Sequence, residues 1–110
     1  MSDFTDLEAT NICAVALGFR PVGEYKDFET TKAIQMEEVL GGPKYKYSPL
    51  TDGASAFELV EVFQLAIDRF AMMKAGEIPT WGWRVKGGDT SYVHFSLKKA
   101  ITICVAKMKQ

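Results

Sequence analysis

The sequence has few of the residues that build catalytic or metal sites. It contains one histidine, His94, and two cysteines, Cys13 and Cys104. Metal sites gather several nitrogen, sulfur or oxygen ligands, and no HxxxH, CxxC or DxDxDG spacing is present. No GxSxG, HExxH or P-loop pattern occurs either. We therefore predict a protein that is not an enzyme and has no cofactor or metal, with His94 in a structural role.

A charge imbalance and a long apolar run are also absent. The formal net charge is −1 and the pI is near 5.8, so no overall field attracts the chain to nucleic acid or an anionic membrane. No apolar stretch approaches the roughly 18 residues that span a bilayer, and no charged-then-apolar leader opens the sequence. We expect a soluble protein with no membrane partner, which stays in the cytoplasm where it is made.

The two cysteines lie far apart, in the apolar stretches NICAVAL and ITICVAK. Such contexts are typical of buried thiols in helices of proteins from a reducing compartment. A disulfide between them stays open as an alternative if both helices pack on one side of a sheet.

What the sequence does contain is the composition of a folded globular protein. Hydrophobic residues make up 47% of the 110 residues and charged residues 25%. No repeat, low-complexity tract or linker divides the chain, so we predict a single domain over residues 1–110.

The first helix is indicated by a capping box. Thr5 is followed three residues later by Glu8, and Gly18 supplies a left-handed stop, which together predict a helix over residues 6–17. Residues 19–46 are less clear: the stretch DFETTKAIQMEEVLGG, residues 27–42, fits either a short helix ended by Gly41-Gly42 or an irregular strand around residues 33–39. The alternating lysines and tyrosines of residues 44–47 predict a short extended segment at a sheet edge.

The stretch YSPLTDGASAFELVEVF, residues 47–63, is either a ligand-holding loop or the start of a helix. Asp52 is a good N-cap, and Ser55 with Glu58 offers a second capping box, so the helix is favoured. Apolar residues at three- and four-residue spacing extend this helix to about Lys74, with Gly76 as its stop.

This central helix is expected to be the hydrophobic spine, with Phe63 and Ile67 in the core. Its apolar stripe comprises Ala56, Leu59, Val60, Phe63, Ala66, Ile67, Phe70 and Met73. Leu65 and Met72 interrupt the polar face, so either a loop covers them or they mark a partner surface.

The C-terminal third predicts a hairpin and a helix. Aromatic and β-branched residues indicate strands over 81–86 and 92–95, joined by a loop longer than a tight two-residue turn. Ser96 caps a last helix over 97–109. The order of elements predicts an α+β fold, in which a small antiparallel sheet packs with about three helices as an α-β-α sandwich.

Three features together resemble the phage α-β-α sandwich domain family, which comprises small accessory proteins of tailed phages and their prophages. They are the Tyr-Ser-Pro-x-Thr-Asp start of an Ala-rich helix, the Trp-containing strand pair and the closing helix LKKAITICVAKMK. The resemblance covers about residues 5–109 and is best over 47–63 and 97–108. It implies host cytoplasm as the setting and supplies no general activity.

The strongest indication of function is a set of aromatic and cationic residues in extended segments, namely Tyr45, Tyr47, Trp81, Trp83 and Arg84. These residue types dominate protein-binding hot spots, and the free edges of their strands can pair with a partner strand. Trp81 and Trp83 share one face of their strand and Arg84 lies on the other. The competing interpretation is that the aromatic rings pack inside the fold.

We therefore predict a non-enzymatic phage accessory protein that binds a host macromolecule, with an antiviral defence component as one candidate. Its partner is expected to be a host or phage protein, and an oligomer stays open. The alternative is a protein that binds a small molecule, a nucleotide or single-stranded nucleic acid through residues 44–53 and the hairpin.

Overall fold

The structure is a computed structural model that describes residues 4–24, 27–72, 76, 78 and 80–109. Within these residues it contains four α-helices and six β-strands. They are α1 (Asp6–Ala16), β1 (Arg20–Glu24), α2 (Phe28–Thr31), β2 (Ile34–Glu37), β3 (Lys44–Tyr47), α3 (Gly53–Phe63), β4 (Ala66–Met72), β5 (Thr80–Gly87), β6 (Thr90–His94) and α4 (Leu97–Met108). The predicted α+β class is confirmed, and the antiparallel strands are divided between two three-stranded sheets, β1-β2-β3 and β4-β5-β6.

The first and last helices begin at the predicted capping residues. The Thr5 hydroxyl accepts from the Glu8 N–H, and the Glu8 carboxylate accepts from the Thr5 N–H, so the capping box is formed. Just after α1, Gly18 has a φ of +92°, the left-handed conformation that glycine adopts most readily. Ser96 caps α4 by accepting a hydrogen bond from the Lys99 N–H.

The hydrophobic spine is α4 rather than the central helix. It packs across β5 and β6 and also contacts α1 and α3. Residues 100–106 of α4 are all buried. The core takes side chains from both sheets and all four described helices, including Cys13, Phe28, Ile34, Leu59, Val85 and Ile101.

The predicted long central helix is wrong beyond Phe63. There α3 ends, because Gln64 adopts a left-handed φ of 50° and its N–H bonds back to the Val60 carbonyl. From Ala66 the chain forms strand β4, which pairs with β5 along its whole length. The apolar spacing of residues 66–72 fits a helix locally. In the structure, however, the backbone N–H and C=O groups of this segment pair with those of β5, a strand rich in aromatic residues. Met73 and Lys74 lie outside the described residues.

This change of element alters which side chains are covered. Phe63 and Ile67 are partly buried and pack against the core, as expected. Leu65, for which a covering loop or a partner surface was expected, is buried within the fold: its side chain and that of Met108 lie directly over Gly87. Phe70, predicted on the apolar stripe, is exposed. The side chain of Met72 lies outside the described residues.

The structure also assigns residues 27–47 and the turn between β5 and β6. Within the stretch 27–42, residues 28–31 form the short helix α2 and residues 34–37 form β2, the middle strand of its sheet. β3 lies at an edge as predicted. The loop between β5 and β6 is shorter than predicted, because Gly87 pairs with Thr90 and leaves a two-residue turn. Gly88 at its first central position has a φ of +58°, as a type II′ turn requires.

Candidate functional site

Strands β4 and β5 extend past the third strand of their sheet. β6 pairs with residues 83–87 of β5, whereas the pairing of β4 with β5 continues to Met72 and Thr80. Residues 70–72 and 80–82 therefore form a two-stranded segment, which we call the distal ribbon. Its residues Phe70, Ala71 and Trp81 have exposed side chains.

An arginine is stacked on two tryptophans where β6 ends and the distal ribbon begins. Arg69 lies directly across from Trp83 and diagonally from Trp81, so all three side chains share one face. The Arg69 Cζ atom lies 5.0 Å from the Trp83 ring centroid and 5.6 Å from that of Trp81. Trp81 is 57% exposed and Trp83 is half-buried. We call these three residues the Trp–Arg–Trp cluster; its contacts are cation–π interactions.

Arg69 differs from many cations of this protein in having no carboxylate partner among the described residues. Its guanidinium contacts the two indole rings. A guanidinium carries five N–H donors, and stacking on ring faces leaves the donors at its edge available. Among the described residues, the ion pairs formed elsewhere are Arg20–Glu37, Lys44–Glu37, Lys32–Asp6, Lys32–Glu29, Lys99–Asp6 and Arg84–Asp68.

Arg84 lies on the opposite face of β5, as its strand position predicts. Its Nε and Nη2 atoms donate to Asp68 Oδ1 and Oδ2 at 3.1 and 2.8 Å. This bond lowers the pKa of Asp68 below its ordinary value. The Arg84 Cζ atom also lies 5.4 Å from the Phe70 ring centroid. Arg84 is therefore already neutralised and is separated from the tryptophans by the sheet.

The two tyrosines of the predicted site are not beside the tryptophans. Tyr47 is 2% exposed and lies in the core, where its hydroxyl has no hydrogen-bond partner among the described residues. Burial raises the pKa of Tyr47 above its ordinary value. Tyr45 is exposed on the other sheet, with its ring edge-to-face against Phe19. Of the five predicted binding residues, the structure brings together Trp81 and Trp83.

Arg69 was missed by the sequence analysis because residues 66–72 were assigned to a helix. One physical signal for a strand was present. A two-stranded hairpin is marginal by itself in water and needs a third strand or a helix to cover it. A third strand was one way to complete the predicted hairpin over 81–95, and residues 66–72 precede that hairpin in the chain.

The loop that begins α3 uses its polar groups internally. Asp52 accepts hydrogen bonds from the Ala54 N–H and the Ser55 hydroxyl, so it caps α3 as predicted. The Thr51 hydroxyl donates to the Thr31 carbonyl at 2.7 Å. These groups hold the loop in place, which weakens the alternative of a phosphate-binding loop.

His94 is held by its neighbours. Its Nδ1 atom accepts from the Ser96 N–H at 2.9 Å, and its ring stacks on that of Tyr92. Burial lowers the pKa of His94 below its ordinary value. Among the described residues, no group of three or more histidine, cysteine or acidic side chains has an arrangement that could hold a metal ion.

The two cysteines are buried, free thiols. The Cys13 thiol donates to the Thr102 carbonyl at 3.3 Å, which ties α1 to α4. Burial raises the pKa of Cys13 to about 12, so its thiol stays protonated at neutral pH. These properties agree with the predicted packing role.

Two surface cavities elsewhere are weaker candidates for a binding site. A polar cavity of about 490 Å³ is lined by Asp6, Glu24, Phe28, Glu29 and Lys32, but Lys32 already pairs with two of its carboxylates. A smaller apolar cavity of about 360 Å³ lies between α1 and the end of α4. No helix in the described part of the chain is both long and apolar enough to cross a membrane.

Comparison with protein-family models, with curated proteins and with solved structures found no match. The resemblance to the phage α-β-α sandwich family therefore depends on the sequence motifs alone and stays a prediction.

Proposed function

We propose that this protein is a non-enzymatic binding protein and that it recognises another protein through the Trp–Arg–Trp cluster at the base of the distal ribbon. The observation that supports this function is the exposed stack of Arg69 on Trp81 and Trp83. Tryptophan and arginine are the residues most enriched among those that dominate binding energy.

The cluster offers a large contact area, and its side chains lose little conformational entropy on binding. Indole rings have few rotatable bonds, and the guanidinium is already positioned against them, so binding orders few additional side chains. The strand pairing of Arg69 with Trp83 fixes the register of the three residues. Such a preorganised patch suits a partner with a surface of matching shape.

The partner is proposed to be a host protein, as the phage resemblance implies, with an antiviral defence component as one candidate. This part of the proposal depends on the resemblance alone.

Single-stranded nucleic acid is the second candidate, because indole rings stack on bases and arginine contacts phosphates. It is less favoured because phosphate binding normally uses several cations. Among the described residues of the distal ribbon and its base, the cation on the face of the cluster is Arg69. Arg84 lies on the other face and is paired with Asp68.

Affinity capture with matched variants tests the proposal. The bait is the wild-type protein, Trp81→Ala or Phe57→Ala, each checked for fold by circular dichroism, and captured proteins from host lysate are quantified by mass spectrometry. Phe57 is the control because it is an aromatic residue of similar exposure, 52%, on α3. We expect a partner that wild type and Phe57→Ala retain and that Trp81→Ala loses about tenfold or more.

Equal capture by all three baits would contradict the proposal. In parallel, the fluorescence anisotropy of a labelled oligothymidine is measured with the same three proteins. Binding that Trp81→Ala abolishes and salt weakens steeply would favour the nucleic-acid candidate instead.

A further inference from the structure

The outer edge of β4 is open to another strand. β4 is the first strand in the order β4-β5-β6, and its other edge has no strand partner among the described residues. Asp68 and Phe70 on one face and Arg69 and Ala71 on the other all have exposed side chains. No described element therefore covers this edge from either face. Unpaired N–H and C=O groups of an edge strand form hydrogen bonds with an added extended segment.

The two faces of this edge differ in charge. On one face, Asp68 is neutralised by its bidentate bond with Arg84. On the other face, Arg69 has no described carboxylate partner and is held in place by two ring contacts. A strand added beside β4 would therefore meet, on the tryptophan face, a positive charge at a defined position that no described carboxylate neutralises. Opposite charges on directly facing residues of adjacent strands stabilise the pairing.

We propose that β4 binds an extended acidic segment of the partner protein, which adds as a fourth strand and places a glutamate or aspartate opposite Arg69. This inference rests on the proposed function and names the chemistry of its partner. The carboxylate accepts hydrogen bonds from the edge of the guanidinium, while the flanking side chain of the added strand contacts Trp81.

A second copy of this chain would meet like charges on the same edge in two of its possible registers. When two copies of β4 pair antiparallel, the same face of both copies lies on the same side of the joined sheet only if one residue is paired with its own copy at the centre. Centring on Asp68 places two aspartates directly opposite each other, and centring on Arg69 does the same with two arginines. Like charges in these positions are destabilising, and charges on edge strands commonly prevent such self-association.

Peptide pools test the chemistry directly. Each pool contains capped nonapeptides with glutamate, glutamine or lysine at the centre, and with threonine, valine, isoleucine or tyrosine at the other positions. Binding to the whole protein is measured by chemical-shift titration. We expect the glutamate pool to bind about fivefold more tightly than the glutamine pool and the lysine pool to bind most weakly. Equal affinities of the three pools, or binding by none, would overturn the inference.

A charge exchange gives the decisive comparison. Arg69→Glu should bind the lysine pool more tightly than the glutamate pool, which reverses the wild-type order. Lys86→Glu is the matched control, because Lys86 is an exposed cation of the same hairpin on the opposite face of β5. It changes the net charge equally and should keep the wild-type order. Reversal by both variants would show a general charge effect and overturn the assignment to Arg69.

Backbone methylation tests strand addition. A glutamate peptide that is N-methylated at alternate residues on its pairing edge should lose binding about tenfold or more, because its ladder hydrogen bonds cannot form. Undiminished binding would overturn the strand geometry.

The inference and the proposed function can fail separately. Capture that depends on Trp81, without any preference for the glutamate pool, would leave the proposed function standing and overturn the acidic strand. Oligothymidine that displaces the glutamate peptide, or sedimentation as a dimer that Arg69→Glu dissociates, would identify a different occupant and overturn the inference.

Discussion

Arg84 and Asp68 face each other across β5 and β4 and form a bidentate salt bridge, on the side of the sheet that Trp83 does not share. Consecutive residues of one strand thus have different roles: Trp83 supports Arg69, which pairs with no described carboxylate, and Arg84 forms a salt bridge with Asp68. Arg69, and not the predicted Arg84, is therefore the candidate cation of the binding site.

The first prediction compares these two arginines. Arg69→Ala should weaken capture of the partner about tenfold, because it removes the only cation of the Trp–Arg–Trp cluster. Arg84→Ala should leave capture close to the wild-type level, because that guanidinium faces Asp68. Capture is quantified after circular dichroism has confirmed the fold of both variants. The reverse order of effects would place the interface on the Arg84 face.

The second prediction concerns the cap of α3. Asp52→Ala should lower the melting temperature by about 4 °C or more, since it removes the acceptor for the Ala54 N–H. Asp52→Asn keeps a capping side chain, so its melting temperature should fall much less. Partner binding by both folded variants should be near normal. Lost binding with an unchanged melting temperature would show that this loop is a binding site.

The same residue predicts a pH dependence. The hydrogen bond from Ser55 lowers the pKa of Asp52 in the folded state. A lowered folded pKa means that the stabilisation is complete above the unfolded pKa, near 3.9, and is lost as the pH falls through the folded pKa. Melting temperatures of wild type and Asp52→Asn, measured from neutral to acidic pH, should converge as the pH falls. A constant difference would argue against this contribution.

The third prediction distinguishes a strand from a helix over residues 66–72. On a helix Ile67 and Phe70 would share a face, but on β4 they lie on opposite faces. Ile67 packs against the core and Phe70 is exposed. Ile67→Ala should therefore destabilise the protein by about 2 kcal/mol and Phe70→Ala by less than about 1 kcal/mol. Urea unfolding measures both; equal large losses would favour the helix.

The fourth prediction concerns the buried hydroxyl of Tyr47. Removing a polar group that lacks a partner among the described residues relieves a desolvation cost, so Tyr47→Phe should be neutral or stabilise by about 1 kcal/mol. Tyr47→Ala, which empties core volume, should destabilise by about 3 kcal/mol or more. Denaturant unfolding provides the comparison. A clear loss of stability in Tyr47→Phe would mean that the hydroxyl has a partner in solution.

Local signals in the sequence were sufficient for the elements whose ends carry their own caps. Thr5 with Glu8, Asp52, and Ser96 each satisfy backbone N–H groups within three residues, so the starts of α1, α3 and α4 were predictable. The β5–β6 hairpin was likewise indicated by aromatic and β-branched residues around a Gly-Gly pair. The α+β class followed from the order of these elements.

Tertiary structure decided what depends on pairing between distant segments. The apolar residues of 66–72 fit a helical stripe, and only the hydrogen bonds offered by β5 make this segment a strand. Burial of Tyr47 depends on the elements packed around β3, which no spacing within residues 44–47 reveals. The Trp–Arg–Trp cluster exists because the register of β4 on β5 brings Arg69 opposite Trp83. The sequence determined which residues begin and end its local elements; the long-range register, set by backbone pairing and core packing, determined which of them form the candidate site.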